Sequence, residues 1–194
     1  MTPPEDKATL EKKSKEYART RQILTVLNLV IAFGFLVFMV LYLTIPVREF
    51  ARGLADGYYQ QLGVYYICFW LLMFVVGLPL DFYSGYILEH AYELSNQSFF
   101  GWARNELKGL GLGLAISLPM VEAVYFVIRN YPEYWWVLAG ALFTLASVVL
   151  ARIGPVLILP LFYKSTPLED EALRRALVPL AEGAGVTLEG VYKI

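Results

Sequence analysis

Long stretches without charged residues are the feature that most limits what this chain can fold into. Residues 22–47 and 57–80 hold no Asp, Glu, Lys or Arg, and residues 109–128 hold only Glu122. A fourth apolar stretch runs from about Trp135 to Leu150. Apolar windows of about 18 residues or more predict membrane-spanning helices, because roughly 20 helical residues cross the hydrocarbon core of a bilayer. The sequence therefore predicts an all-α integral membrane protein.

The composition agrees with this prediction and excludes several other classes. Charged residues make up 17% of the chain, against about a quarter in an average globular protein. The net charge is -1 and no basic run follows the N-terminal segment, which argues against nucleic acid as a partner. The single cysteine, Cys68, excludes an internal disulfide framework.

The number of membrane spans is four or five. The first apolar stretch is too long for the core of a signal peptide, so we interpret it as an anchor, with Pro46 and Arg48 at its end. We expect short interfacial helices between residues 81 and 108. Residues 152–163, which contain Pro155 and Pro160, are compatible with a continuation of the fourth span, a kinked extension or a short fifth span.

Four charged residues in or beside the spans are candidates for polar positions that line a chamber inside the membrane: Glu122, Arg129, Asp81 and Arg152. Glu122 is the strongest of them, because an ionisable group inside a span is costly and normally faces protein or water. The alternative is structural: Glu122 lies near the interface or pairs with Arg129, seven residues and about 10 Å further along the helix. The glycines at 109 and 113 share a helix face, so they could let another helix approach closely, or they could form a flexible entry to the span.

We expect no catalytic, cofactor-binding or metal-binding residue within the chain. His90 is the only histidine, whereas catalytic zinc generally takes three protein ligands. Glu89, His90 and Glu93 could share neighbouring faces of one helical turn, but a lone histidine among aromatic residues is more often a hydrogen-bonding residue. The glycines near residue 111 are not followed by the Lys-Ser or Lys-Thr pair of a phosphate-binding loop.

A soluble helix is predicted just after the last apolar stretch. Thr166 can cap this helix, Pro167 suits its first position, and Glu169 completes a capping box. Apolar residues then recur at helical spacing up to Leu180, and Pro179 should kink or end the helix. Residues 186–194 have a strand-like apolar pattern with no sheet to join. We therefore expect the chain to be truncated where a soluble domain begins.

The same region resembles a known family. The segment PVLILPLFYKSTPLEDEALRRAL, followed by LAEGAG and VYKI, is similar to the region before the catalytic domain of type I CAAX prenyl proteases, which are membrane zinc metallopeptidases. The upstream order of a basic lead, two spans, a connector containing SNQSFFGW and two further spans also resembles that family. The matching residues are Pro160, Leu161, Phe162, Lys164, Pro167, Leu168, Leu173, Leu180 and Gly185.

The resemblance implies an N-terminal membrane domain, inactive alone, that walls an intramembrane chamber and anchors a cytosolic catalytic domain. The family's zinc ligands and general base, an HExxH helix and a further Glu, would lie beyond Ile194, so zinc is expected only in the full-length protein. The domains implied are a cytoplasmic lead (1–21), a transmembrane domain (22–163) and the start of a cytosolic α/β peptidase domain (164–194). The implied partners are the bilayer, the missing catalytic domain and a peptide substrate of the full-length protein, with no nucleic acid.

Two other functions remain open from the residues alone. The chain could be a small transporter or channel subunit that uses Glu122, or a non-enzymatic membrane scaffold whose helix at 167–182 docks a partner. The location would be the inner membrane in a prokaryote or the endoplasmic reticulum in a eukaryote.

The distribution of basic residues predicts the orientation. With four crossings, 13 of the 16 Lys and Arg residues lie on the side of both termini, which the positive-inside rule places in the cytoplasm. A single cysteine placed at residue 2 or 194 of a Cys68→Ala chain should therefore resist a membrane-impermeant maleimide in intact cells, and one at residue 131 should react. Labelling at either terminus would contradict this topology.

Overall fold

A computed structural model describes residues 7–154 of the chain, with side chains from residue 11 onward, and the backbone of two short strands at 166–167 and 192–193. The described part divides into two compact units, Met1–Pro132 and Glu133–Ile194. The helices are α1 (Lys7–Phe38), α2 (Thr44–Leu54), α3 (Tyr58–Phe82), α4 (Leu88–Ala91), α5 (Phe99–Asn130) and α6 (Trp135–Ile153).

Two π-helical turns join neighbouring helices without a break. Met39–Leu43 connects α1 to α2, and Tyr83–Ile87 connects α3 to α4. Four continuous helical stretches are long and apolar enough to cross a membrane: Glu11–Leu54, Tyr58–Ala91, Phe99–Asn130 and Trp135–Ile153. They confirm the predicted all-helical membrane fold for residues 7–154.

The outside of these helices is apolar. Large side chains such as Phe33, Val40 and Phe143 are more than half exposed, and the buried apolar residues of segment 11–154 number six: Phe35, Met39, Ala51, Leu88, Trp102 and Ala139. A surface of this kind is what a bilayer requires, because lipid tails take the place of the protein core around most of each helix.

The first span does not end at Pro46 and Arg48 as the sequence suggested. The helix continues through Pro46 and Arg48 to Leu54, and the π turn at Met39–Leu43 directly precedes the turn that contains Pro46. The preceding π turn supports this arrangement: the hydroxyl of Thr44 donates to the carbonyl oxygen of Met39 at 2.9 Å. The loop predicted to start at Arg48 is thus limited to residues 55–57.

The connector at 81–108 also differs from the prediction of separate interfacial helices. Its first part continues the second span to Ala91, and its last part is the beginning of α5. Helix α5 starts at Phe99, ten residues before the predicted start at Gly109, because Ser98 caps it: the backbone N–H of Gly101 donates to Ser98 Oγ at 3.2 Å.

Helices α3 and α5 run antiparallel, with small residues at their closest approaches. The indole of Trp70 on α3 covers Gly113 on α5, and a Cβ at Gly113 would lie 2.7 Å from Trp70 Cζ2. Trp102 on α5 lies over Gly85 in the second π turn in the same way. Of the two glycines predicted to allow close approach, Gly113 does so, whereas a Cβ at Gly109 would meet nothing within 4 Å.

Helix α1 packs on another side of α3. The rings of Phe35 and Phe69 are 6.3 Å apart. Further toward the N-terminus, Tyr17 Oη donates to Glu89 Oε1 at 2.6 Å and packs edge-on against Tyr92. Helix α3 is therefore the element on which α1 and α5 both rest.

Two short strands form an antiparallel pair, with Thr166 opposite Lys193 and Pro167 opposite Tyr192. The interpretation of the last residues as a strand without a partner was therefore wrong, because Tyr192 and Lys193 pair with β1 (Thr166–Pro167). Pro167 belongs to this strand and does not open a helix. The rest of the predicted helix at 167–182 and the peptidase start at 164–194 lie outside the described residues.

The Trp70–Gly113 contact generates a stability prediction. Gly113→Ala should lower the free energy of unfolding by about 1–3 kcal/mol, because the new methyl group overlaps the indole. Gly111→Ala is the matched control, since its Cβ meets nothing within 4 Å, and alanine favours a helix by up to about 1 kcal/mol over glycine. Unfolding in sodium dodecyl sulfate, followed by circular dichroism, measures both; equal midpoints would contradict the prediction.

Candidate functional site: a cavity between three helices

A cavity of about 290 Å³ opens between α1, α3 and α5. Helix α3 forms its back, and α1 and α5 form its sides. Apolar side chains make up most of the wall, among them Ile31, Ala32, Met73, Phe74 and Leu110. The volume is at the lower end of the roughly 300–1,000 Å³ usual for ligand pockets.

Three polar residues line the same cavity: Asn28 from α1, Asp81 from α3 and Glu106 from α5. Asp81 lies at the last turn of α3 and folds back along its own helix, so that Oδ2 is 3.2 Å from the position of a Cβ at Gly77. Two carboxyl groups from different helices thus meet the same space.

Trp70, on the cavity wall, contacts residues of both α3 and α5. Its Nε1–H donates to the carbonyl oxygen of Leu110 at 3.3 Å, and its ring lies against Gly113. Tyr66 packs on the same indole, with ring centroids 6.0 Å apart. The indole ties α3 to α5 beside the cavity and fixes the distance between them.

Two of the predicted polar residues, Asp81 and Glu122, lie far apart in the first compact unit. Asp81 lines the cavity, whereas Glu122 lies near the other end of α3, with Oε1 3.2 Å from the Cβ position of Gly63. Gly63 and Asp81 are 18 residues apart in one helix, which is about 27 Å. Arg152 lies in the last turn of α6, in the second compact unit.

Glu122 and Arg129 do not form the ion pair considered above. The Arg129 guanidinium carbon lies 4.5 Å from the ring centroid of Tyr58, a cation–π arrangement. Ion pairs among residues 11–154 include Lys15–Glu11, Arg48–Glu49 and Arg52–Glu49. The carboxyl group of Glu122 instead packs against the backbone of α3 at a glycine.

Sequence reasoning missed Glu106 and Asn28. Glu106 was assigned to the connector because the third span was thought to begin at Gly109. The signal that could have found it is helical spacing: Glu106, Gly109 and Gly113 follow one another at three and four residues, which places them on one face of α5.

The described residues of the chain do not fit a zinc site. His90 Nδ1 is 2.7 Å from the carbonyl oxygen of Tyr86, and Glu89 accepts a hydrogen bond from Tyr17. Within residues 7–154, no three His, Cys, Asp or Glu side chains lie close enough together to hold a metal ion. His90 is therefore a hydrogen-bonding residue of the α3–α4 helical stretch.

An aromatic cluster lies where the end of α3, the second π turn and the start of α5 meet. Trp102, which is 6% exposed, lies at its centre, with the ring of Phe82 5.1 Å away and those of Phe99 and Tyr86 6.0 and 6.3 Å away. Trp102 Nε1 is buried without a hydrogen-bond partner among the described residues. The indole packs well but leaves a polar group unsatisfied.

The arrangement of the spans can be compared with known proteins. The sequence profile of a family described as "CAAX prenyl protease N-terminal, five membrane helices" matches residues 5–164. The chain belongs to this family. The described part of the chain holds four of the long apolar helices, and residues 155–164 of the matched range lie outside it.

Two CAAX prenyl proteases and one metalloprotease are similar to the chain in sequence. The chain is 30% identical over 120 residues to a CAAX prenyl protease 1 homolog of Arabidopsis thaliana, covering 62% of this chain and 28% of that protein. It is 31% identical over 121 residues to CAAX prenyl protease 1 of Saccharomyces cerevisiae, covering 62% and 26%. It is 30% identical over 124 residues to the metalloprotease YhfN of Bacillus subtilis, covering 64% and 29%.

The crystal structure of S. mikatae Ste24p has the same fold, with a TM-score of 0.75 at 24% identity over 98% of this chain and 47% of that one. The chain thus matches less than a third of the length of these three relatives and about half of the solved structure. Family membership confirms the predicted resemblance, and the metalloprotease relatives agree with zinc chemistry in full-length family members.

The orphaned indole N–H of Trp102 generates a prediction. Trp102→Phe should change the free energy of unfolding by less than about 1 kcal/mol, because the lost packing is offset by removal of a buried unsatisfied donor. Trp102→Ala should cost about 3–5 kcal/mol. The same detergent unfolding measures both, and a phenylalanine variant as unstable as the alanine variant would show that the N–H has a partner.

Proposed function

We propose that this chain is the N-terminal membrane domain of a zinc metalloendopeptidase of the CAAX prenyl protease type. Its spans wall part of an intramembrane chamber and anchor a catalytic domain encoded further along the polypeptide. The observation that carries this proposal is the family match over residues 5–164. The cavity between α1, α3 and α5 supports it, because it gives these helices an inner face.

The residues of this chain suggest how the work of the full-length protein is divided between the membrane domain and the catalytic domain. Zinc, held by residues of the catalytic domain, would supply an activated water for peptide hydrolysis. This chain supplies position: α3 and α5 are tied together by Trp70, and α1 and α4 are tied by the hydrogen bond from Tyr17 to Glu89. A wall of this kind holds the catalytic domain and the substrate in a fixed relation to the bilayer.

The domain limits are part of the proposal: a cytoplasmic lead at 1–21, the membrane domain at 22–163 and the beginning of an α/β peptidase domain at 164–194. Both termini face the cytoplasm. Of the candidate chamber residues, Asp81 has geometric support because it lines the cavity, whereas Glu122, Arg129 and Arg152 are carried by their position in or beside spans.

The proposal predicts that the 194-residue chain is inactive alone. In nanodiscs with added zinc it should cleave a prenylated CAAX peptide no faster than empty nanodiscs, because its described residues hold no ligand set for the metal. Full-length CAAX prenyl protease 1 of S. cerevisiae, assayed in parallel, is the positive control. Release of the tripeptide, measured by mass spectrometry, is the readout.

A second arm tests the anchoring role. Adding the downstream HExxH-containing segment of the same gene, as a continuous polypeptide, should restore cleavage. Zinc-dependent hydrolysis by the 194-residue chain alone would overturn the proposal, and so would a gene that encodes no metal-binding motif after codon 194.

A further inference from the structure

The cavity between α1, α3 and α5 is itself amphipathic. Along α3, Trp70, Gly77 and Asp81 follow at seven and four residues, so they lie on one helix face. Trp70 and Asp81 are separated by eleven residues, about 16 Å along the helix axis. The cavity therefore runs from an aromatic and aliphatic end to an end with two carboxyl groups.

The polar end has one sign of charge. Among the described residues that line the cavity, the charged ones are Asp81 and Glu106, and both are acidic. Asn28 adds a neutral side-chain amide. A group that enters this end meets carboxylate oxygens as acceptors. The complementary group is a cation with N–H donors, for which charge-assisted hydrogen bonds to carboxylates are the strong type.

Size limits what can enter. A volume of about 290 Å³ is too small for the two acyl chains of a phospholipid. There is free space next to Gly109 in the cavity lining, because a Cβ there would meet nothing within 4 Å. One unbranched alkyl chain lying beside Gly109 and ending near Trp70 is compatible with this shape.

We propose that the cavity binds a single-chain amphiphile with an amine head group, its ammonium at Asp81 and Glu106 and its alkyl chain toward Trp70. Apolar burial of the chain supplies affinity, and the two carboxyl groups select the cationic head over a neutral or anionic one. The site exists in this chain by itself, so it does not depend on the proposed role in a peptidase.

The probe is a decylammonium ion with a diazirine near the end of its chain. The 194-residue chain is placed in phosphatidylcholine nanodiscs, irradiated with the probe and analysed by peptide mass spectrometry. The label should appear on the α3 segment that contains Trp70 and Phe74, or on α5 near Leu110. Unlabelled decylammonium should compete with it, and decanol and decyl sulfate of the same chain length should compete at least roughly tenfold less well.

Two variants separate shape from charge, each with a matched control. Gly109→Leu fills the cavity without a backbone clash and should abolish the label, whereas Gly111→Leu, two residues along the same helix and outside the cavity lining, should retain it. The double variant Asp81→Asn/Glu106→Gln should weaken decylammonium competition roughly tenfold. Glu133→Gln, an exposed carboxyl group in the loop before α6, should leave it unchanged.

Three results would overturn the inference. Equal competition by decanol would mean that the cavity takes any alkyl chain, and labelling only on lipid-facing residues such as Phe33 would mean that the probe samples the bilayer. Loss of the label in Gly111→Leu as well as in Gly109→Leu would mean that helix packing, and not cavity filling, controls the signal. Circular dichroism of every variant checks that the helices are formed.

Discussion

The packing of large side chains onto glycines holds α3 and α5 together, and much of the described structure depends on it. Between helices in a bilayer the hydrophobic effect gives little driving force, so close van der Waals contact must do the work. Trp70 on Gly113 and Trp102 on Gly85 are two such contacts, eleven residues apart along α5 and fifteen residues apart along α3 and the second π turn. They set an interhelical distance that leaves room for the cavity beside them.

The two ends of this helix pair differ in chemistry. At one end, Glu122 packs on Gly63 and Arg129 faces Tyr58. At the other, Asp81 and Glu106 line the cavity and the aromatic cluster around Trp102 closes the structure. Glu122 and Asp81, which both flank or interrupt apolar windows in the sequence, therefore lie about five helical turns apart in different surroundings. This packing does not favour a single polar pathway through both residues.

The spans themselves could be predicted from the uncharged windows, because lipid exposure demands apolar residues all round a helix. Helix ends could not, since Arg48 and Glu49 are compatible with a helix that continues into the headgroup layer to Leu54. Gly109 and Gly113 were indistinguishable by spacing, and only the position of Trp70 decides between them. Asp81 was found because it ends an apolar window, whereas Glu106 was missed because it precedes the uncharged window from which the third span was predicted.

The π turns at Met39–Leu43 and Tyr83–Ile87 have a consequence for phase. Each accommodates one residue more than an α-helical turn, and one residue corresponds to about 100° of rotation around the axis. Side chains after such a turn consequently point in directions that counting by 3.6 from inside the membrane assigns wrongly. Helical positions in this protein therefore have to be counted afresh from Thr44 and from Leu88 when residues are assigned to helix faces.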